Sequence, residues 1–249
     1  MALVGRRLLG ERRRIVVARS KVLAAQVQRW LQSYAQLVIR DELELVTVKS
    51  KTDAELRTDL QQLLATFGLR EAARSSRAVG FQGPLPVVVA REIVAKDAMV
   101  QGIANETRDA IRREIGEMVA EFRREIPSPP PGVLVRRIRD RFRSPEGSKA
   151  AFAVSMGRAS VIARTELVQN ENLGAVSGYE QLGVRRVMWL AFTGDRRSGD
   201  RKHYEMNGEV IEIGGRFVTP LDNRLRFPGD PTAPIADTAN CRCTVRPVR

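Results

Sequence analysis

The chain is poor in cysteine, histidine and aromatic side chains, and each shortage narrows what it can be. Two cysteines in 249 residues cannot build the disulfide framework of a small secreted domain, and their scarcity fits a reducing compartment. Aromatic residues are 5% of the chain, too few for the stacking platforms that grip single-stranded nucleic acid. No stretch approaches the ~20 apolar residues that span a bilayer, so no membrane partner is expected. The opening MALVGRRLLGERRRIVVARS has arginines where a signal peptide needs its apolar run, which predicts a cytoplasmic protein. Walker loops, dinucleotide-binding glycine patterns and HExxH are all missing. A nucleophilic-cysteine reading finds no elbow or oxyanion loop around NCRC, so no enzyme is expected.

What the chain has in excess is positive charge. Apolar residues at 43% and charged residues at 29% describe a globular protein, and the formal net charge is +13. Residues 1–150 carry 28 basic and 18 acidic side chains, residues 151–249 only 14 and 11. Such an excess suits a polyanion, most simply double-stranded DNA held through its phosphates without sequence readout. Two clusters are the candidates: Arg6, Arg7, Arg12, Arg13, Arg14 and Arg19 near the N-terminus, and Arg136, Arg137, Arg139, Arg141 and Arg143 in VLVRRIRDRFR.

The periodicity predicts an α+β protein, a long helical part followed by a small loop-rich β lobe. Ile15, Val16, Val22, Leu23, Val27, Trp30, Leu31, Tyr34, Leu37 and Val38 recur at helical spacing over 12–46. Thr52 and Glu55 form a capping box for a second helix with the apolar stripe Leu56, Leu60, Leu63, Leu64 and Phe67. GFQGPLPV interrupts the pattern, and one long helix is expected from Val87 to Ile126. PSPPPG then acts as a stiff spacer. A helix rich in small residues follows from Ser148 to Leu182. Beyond Gly183, RRVMWLAF and EVIEIGGRFVTP read as short strands, the latter as two around a Gly-Gly turn. The expected organisation is a basic helical region at 1–90, a second helical part at 91–183, and the β lobe at 184–249, close to the size where a core alone is marginal.

The scarce residues meet in that lobe. The single histidine, His203, and both cysteines fall within it, as Asp200-x-x-His203 and Cys241-x-Cys243. Two short-spaced pairs of carboxylate, imidazole and thiolate are a pattern that binds zinc. From the residues alone, buried inert thiols and a redox pair stay open beside it. Arg164, Thr165 and Glu166 read as a buried ion pair or a tether from helix to lobe.

Taken together, IARTELVQNENLGAVSGYEQLGV at 162–184, Trp189, Asp195, His203, Gly208 and FPGDPTAPIADTANCRC at 227–243 resemble the minor head proteins of tailed bacteriophages. This is the head-morphogenesis family that includes the F protein of phage Mu. The order and spacing agree over 90–249, while 1–90 is similar only in being helical and basic. The resemblance implies a structural protein of the virion head, made and assembled in the host cytoplasm and associated with the portal protein and the major capsid shell. It also implies a part in genome delivery beside packaged DNA. Relatives carry Cys-x-x-Cys where this chain has Asp200 to His203. The resemblance thus implies one structural zinc on Asp200, His203, Cys241 and Cys243, with Asp195 or a water as substitutes for Asp200, and a structural role for Arg164, Thr165, Glu166 and Trp189. A toxin-like or metal-dependent enzyme on the same domain, or an assembly factor that touches no DNA, are the competing expectations.

Overall fold

The computed structural model describes residues 2–42, 52–95, 97–124, 133, 136–137, 140, 155–192 and 201–248. It is α+β: helices come first, and small antiparallel sheets follow. Helices α1 (Ala2–Glu42), α2 (Asp53–Ala78), α3 (Val87–Val94), α4 (Asp97–Arg124) and α5 (Met156–Gln181) precede strand β1 (Arg186–Leu190). Then come β2 (Val210–Glu212), β3 (Phe217–Val218), β4 (Arg224–Leu225), the single-turn helix α6 (Ile235–Thr238) and β5 (Thr244–Val248). Among the described residues no helix is long and apolar enough to cross a membrane.

The capping box forms as its spacing predicts. The Thr52 N–H donates to Glu55 Oε2 at 2.7 Å and the Glu55 N–H returns to Thr52 Oγ1 at 3.3 Å, so two N-terminal donors of α2 are satisfied. The single helix expected from Val87 to Ile126 is instead two. Ala95 leaves the helical region (ψ 69°) while its N–H still caps Arg91 O, and α4 starts at Asp97.

Contacts divide the chain into two compact units, each assembled from separated stretches. The segments 1–90, 91–183 and 184–249 therefore describe order along the chain, whereas the units describe packing. One unit comprises Ala24–Leu63 and Lys96–Ser160. In it Trp30 stacks on Tyr34 with ring centroids 5.0 Å apart, and the Trp30 indole N–H donates to Leu56 O. The Tyr34 hydroxyl donates to Asp53 at 2.7 Å. Arg158, from α5, donates to Thr107 Oγ1 on α4 at 3.0 Å.

The other unit comprises Met1–Leu23, Leu64–Ala95 and Val161–Arg249. Within it α2 and α5 touch almost backbone to backbone. A Cβ on Gly174 would lie 2.2 Å from Ala72 O, and one on Gly178 would lie 2.6 Å from a methyl of Val79. The first three-stranded sheet has the order β2–β1–β5, all antiparallel, with Trp189 opposite Val245 and Leu190 opposite Thr244. β3 and β4 form a separate hairpin. The two strands expected around the Gly-Gly turn thus enter different sheets, and Gly214 at φ +89° makes the turn between them. One face of the first sheet closes over Trp189, Phe217, Leu225, Phe227, Met206, Leu173 and Ile93 in a common core.

Candidate metal centre

Cys241 and Cys243 end a loop that enters β5, and β5 is clamped to β1 at the centre of the sheet. His203 approaches from a turn that closes on the other side of β1: the Gly208 N–H donates to Trp189 O at 2.9 Å, and the Trp189 N–H donates to Glu209 O at 2.8 Å. Gly208 needs its φ of +93° for that return. The three side chains are buried, and their ligand atoms all lie within 4.8 Å of one another. Both thiols are free.

The spacing fits a metal ion. Metal–sulfur and metal–nitrogen bonds of about 2.3 and 2.05 Å at a tetrahedral angle put sulfur and nitrogen about 3.6 Å apart. Cys241 Sγ and His203 Nδ1 are 3.7 Å apart. Contact with Cys243, burial and the charge of Cys243 push the Cys241 thiol up, whereas contacts with Cys241 and His203 hold the Cys243 thiol down despite burial. Burial pushes His203 down, but the hydrogen bonds and charge of Cys243 and Asp237 outweigh it and its pKa is raised. Trp189, fully buried, meets the imidazole edge-on with centroids 5.4 Å apart.

The cysteine loop is held by α5. Arg164 donates to Asn240 Oδ1, and the Asn240 N–H donates to Thr165 Oγ1 at 2.8 Å. Asn240 sits at φ +57° directly before Cys241, a left-handed conformation that asparagine tolerates better than most residues. On the far side, the Asn172 amide donates to Cys243 O at 3.1 Å and to Pro228 O at 2.8 Å, while its oxygen accepts from Thr244 Oγ1 at 2.9 Å. Arg164 and Thr165 are thus the helix-to-lobe tether the sequence suggested. Glu166 turns into the helix packing beside Asn170, whose amide lies 3.4 Å from its Oε2.

Asp200 and its substitute Asp195 lie outside the described residues, as do Arg139, Arg141 and Arg143. Arg136 and Arg137 are exposed. Arg6, Arg7, Arg12, Arg13 and Arg14 fall on α1 in the part where only the backbone is described. Arg19 meets Glu171 at 2.8 Å and Glu71 at 3.4 Å, and Glu71 is shared with Arg70 at 3.2 Å and Arg74 at 3.7 Å.

Sequence reasoning missed Asp237, Thr219, Asn223, Asn172 and Asn240. Asp237 is fully buried, with Oδ1 3.1 Å from His203 Nε2. Its Oδ2 accepts from Thr219 Oγ1 at 2.9 Å and Asn223 Nδ2 at 2.7 Å, both at the turn of the β3–β4 hairpin. The one signal, for Asp237 and Asn240 alone, was their place in ADTAN directly before the cysteines. Comparison of the chain with protein-family models, with curated proteins and with solved structures finds no match.

Proposed function

We propose that the chain is a structural minor head protein of a tailed bacteriophage or prophage. It is assembled in the host cytoplasm against the portal protein and capsid shell, remains in the virion head, and carries one structural zinc on His203, Cys241 and Cys243. The observation that carries this reading is convergence. Among the described residues, separate segments on which the family resemblance rests meet at one buried cluster: Arg164 and Thr165 of IARTE on Asn240, Asn172 on Pro228 and Cys243, Trp189 on His203. Residues quoted for a family motif thus share a single physical task, which is to close the lobe around the cysteines.

Two thiolates and an imidazole gathered within 4.8 Å of one another favour zinc among common biological metals. A fourth ligand would come from Asp200, Asp195 or water. The cleft beside the cluster, lined by Phe192, Arg201, Tyr204 and Arg242, encloses about 20 Å3, room for about one water. Bound there, zinc would supply folding energy to a lobe with a small core. DNA contact is proposed for the named arginine clusters, within which Arg19 also anchors to Glu71 and Glu171.

Elemental analysis of protein purified without chelator should find about one zinc per chain, and Cys241→Ser should abolish it and open residues 201–248 to protease. Mature heads should contain the protein, and portal subunits should co-purify with it. Affinity for unrelated DNA duplexes should fall steeply from low to physiological salt. Metal-free protein of full native stability would sink the zinc reading, and heads lacking the protein would sink the head reading.

A further inference from the structure

The two ring nitrogens of His203 have different neighbours, and the difference decides which one can bind a metal. Nε2 faces Asp237 Oδ1 at 3.1 Å, and Nδ1 faces the cysteine pair, 3.7 Å from Cys241 Sγ. The other Asp237 oxygen is engaged by two donors, Thr219 Oγ1 and Asn223 Nδ2. These donors hold the carboxylate plane and leave Oδ1 for the imidazole. An ionised carboxylate only accepts hydrogen bonds, so its partner Nε2 must carry the proton. A neutral imidazole protonated at Nε2 has its lone pair on Nδ1, on the side where the sulfurs lie.

The geometry points to Asp237 as the positioning residue of the metal centre: it selects the Nε2–H tautomer of His203 and fixes the ring so that Nδ1 is the ligand. This rests on the metal reading above and deepens it. Asp237 would touch no metal itself. It acts through the histidine, as outer partners of ligating histidines do, and losing such a partner typically weakens metal binding by about 10–100-fold.

Asp237→Asn is the informative change because it is nearly isosteric. Thr219 and Asn223 both donate, so they favour the amide oxygen on their side and turn the amide NH2 towards His203 Nε2. That nitrogen must then accept, which moves the ring proton to Nδ1 and blocks the ligand position. Thr219→Val removes one donor but keeps the carboxylate, so the tautomer and the metal affinity should stay within about threefold of the parent, well inside the ~10–100-fold loss expected of Asp237→Asn.

Two measurements decide the matter on full-length protein. Zinc affinity is measured by competition with a chromophoric chelator, and the ring tautomer by long-range 1H–15N correlation, which is unambiguous because the chain has one histidine. The expected result is zinc on Nδ1 with a protonated Nε2 in the parent and in Thr219→Val. Asp237→Asn should show a proton on Nδ1 in the metal-free protein and a ~10–100-fold weaker zinc affinity. A parent that ligates through Nε2, or an Asp237→Asn protein with unchanged affinity, overturns the role of Asp237 while leaving the zinc centre intact. A parent that takes up no zinc overturns the metal reading itself, and this inference with it. Should Asp237→Asn fail to fold, the tautomer of the parent and of Thr219→Val still decides.

Discussion

Asn172 offers the most direct measure of what joins α5 to the lobe. It has no exposed surface, and its amide makes three hydrogen bonds: to Pro228 O, to Cys243 O and from Thr244 Oγ1. Asn172→Ala removes all three at once and leaves two carbonyls and one hydroxyl facing a small void. Each buried polar group that loses its partner costs about 1–3 kcal/mol. Allowing for a water that re-satisfies part of the set, the expected loss is about 4 kcal/mol, a large share of the ~5–15 kcal/mol that holds a domain together. Asn172→Asp should cost more, because its carboxylate would still accept from Thr244 but would face two carbonyl oxygens without a donor. Urea unfolding followed by tryptophan fluorescence gives both numbers, and limited proteolysis shows whether the lobe opens first. A loss below about 1 kcal/mol for Asn172→Ala, or an Asp variant as stable as the Ala variant, would refute this assignment of the bonds.

Two further outcomes follow from packing and charge. Gly174→Ala should destabilise the protein by at least ~3 kcal/mol, since the new methyl would sit 2.2 Å from Ala72 O and helix backbones cannot yield as a side chain tip can; Gly116→Ala, at a position with open space around it, is the control and should be neutral or slightly stabilising in thermal melts. Buried Asp230 accepts from Arg226 and Thr232, and those bonds hold its carboxyl below the usual range although burial opposes them. Because its folded pKa is depressed, its contribution is present above the ordinary carboxylate pKa and is lost as pH falls through the folded value. Asp230→Asn should therefore cost about 3 kcal/mol at pH 7 and much less near pH 2, and equal losses at both pH values in urea titrations would contradict it.

Local chemistry determined a good part of this protein before any tertiary contact was known. Thr52 and Glu55 carry their cap in four adjacent residues, Gly and Pro at 80–86 must end α2, and the spacing in α1 marks the buried Leu23, Val27, Trp30, Leu31, Tyr34, Leu37 and Val38, although Val22 at the same spacing is exposed. The grouping of His203, Cys241 and Cys243 was legible for a different reason: with one histidine and two cysteines, scarcity itself pointed to the set. Only the fold could decide which partners those residues receive. Asp237 reads as an ordinary polar loop residue until folding brings it to a histidine 34 positions away. Arg19 belongs by sequence to a basic run, yet folding brings it to Glu71 and Glu171, 52 and 152 positions distant. Asn172 and Asn240 are polar residues whose donors and acceptors matter because burial removes water as an alternative partner. Periodicity and caps act between neighbours, so a sequence displays them; the worth of a buried polar side chain is set by atoms remote in sequence, and the tertiary structure alone supplies those.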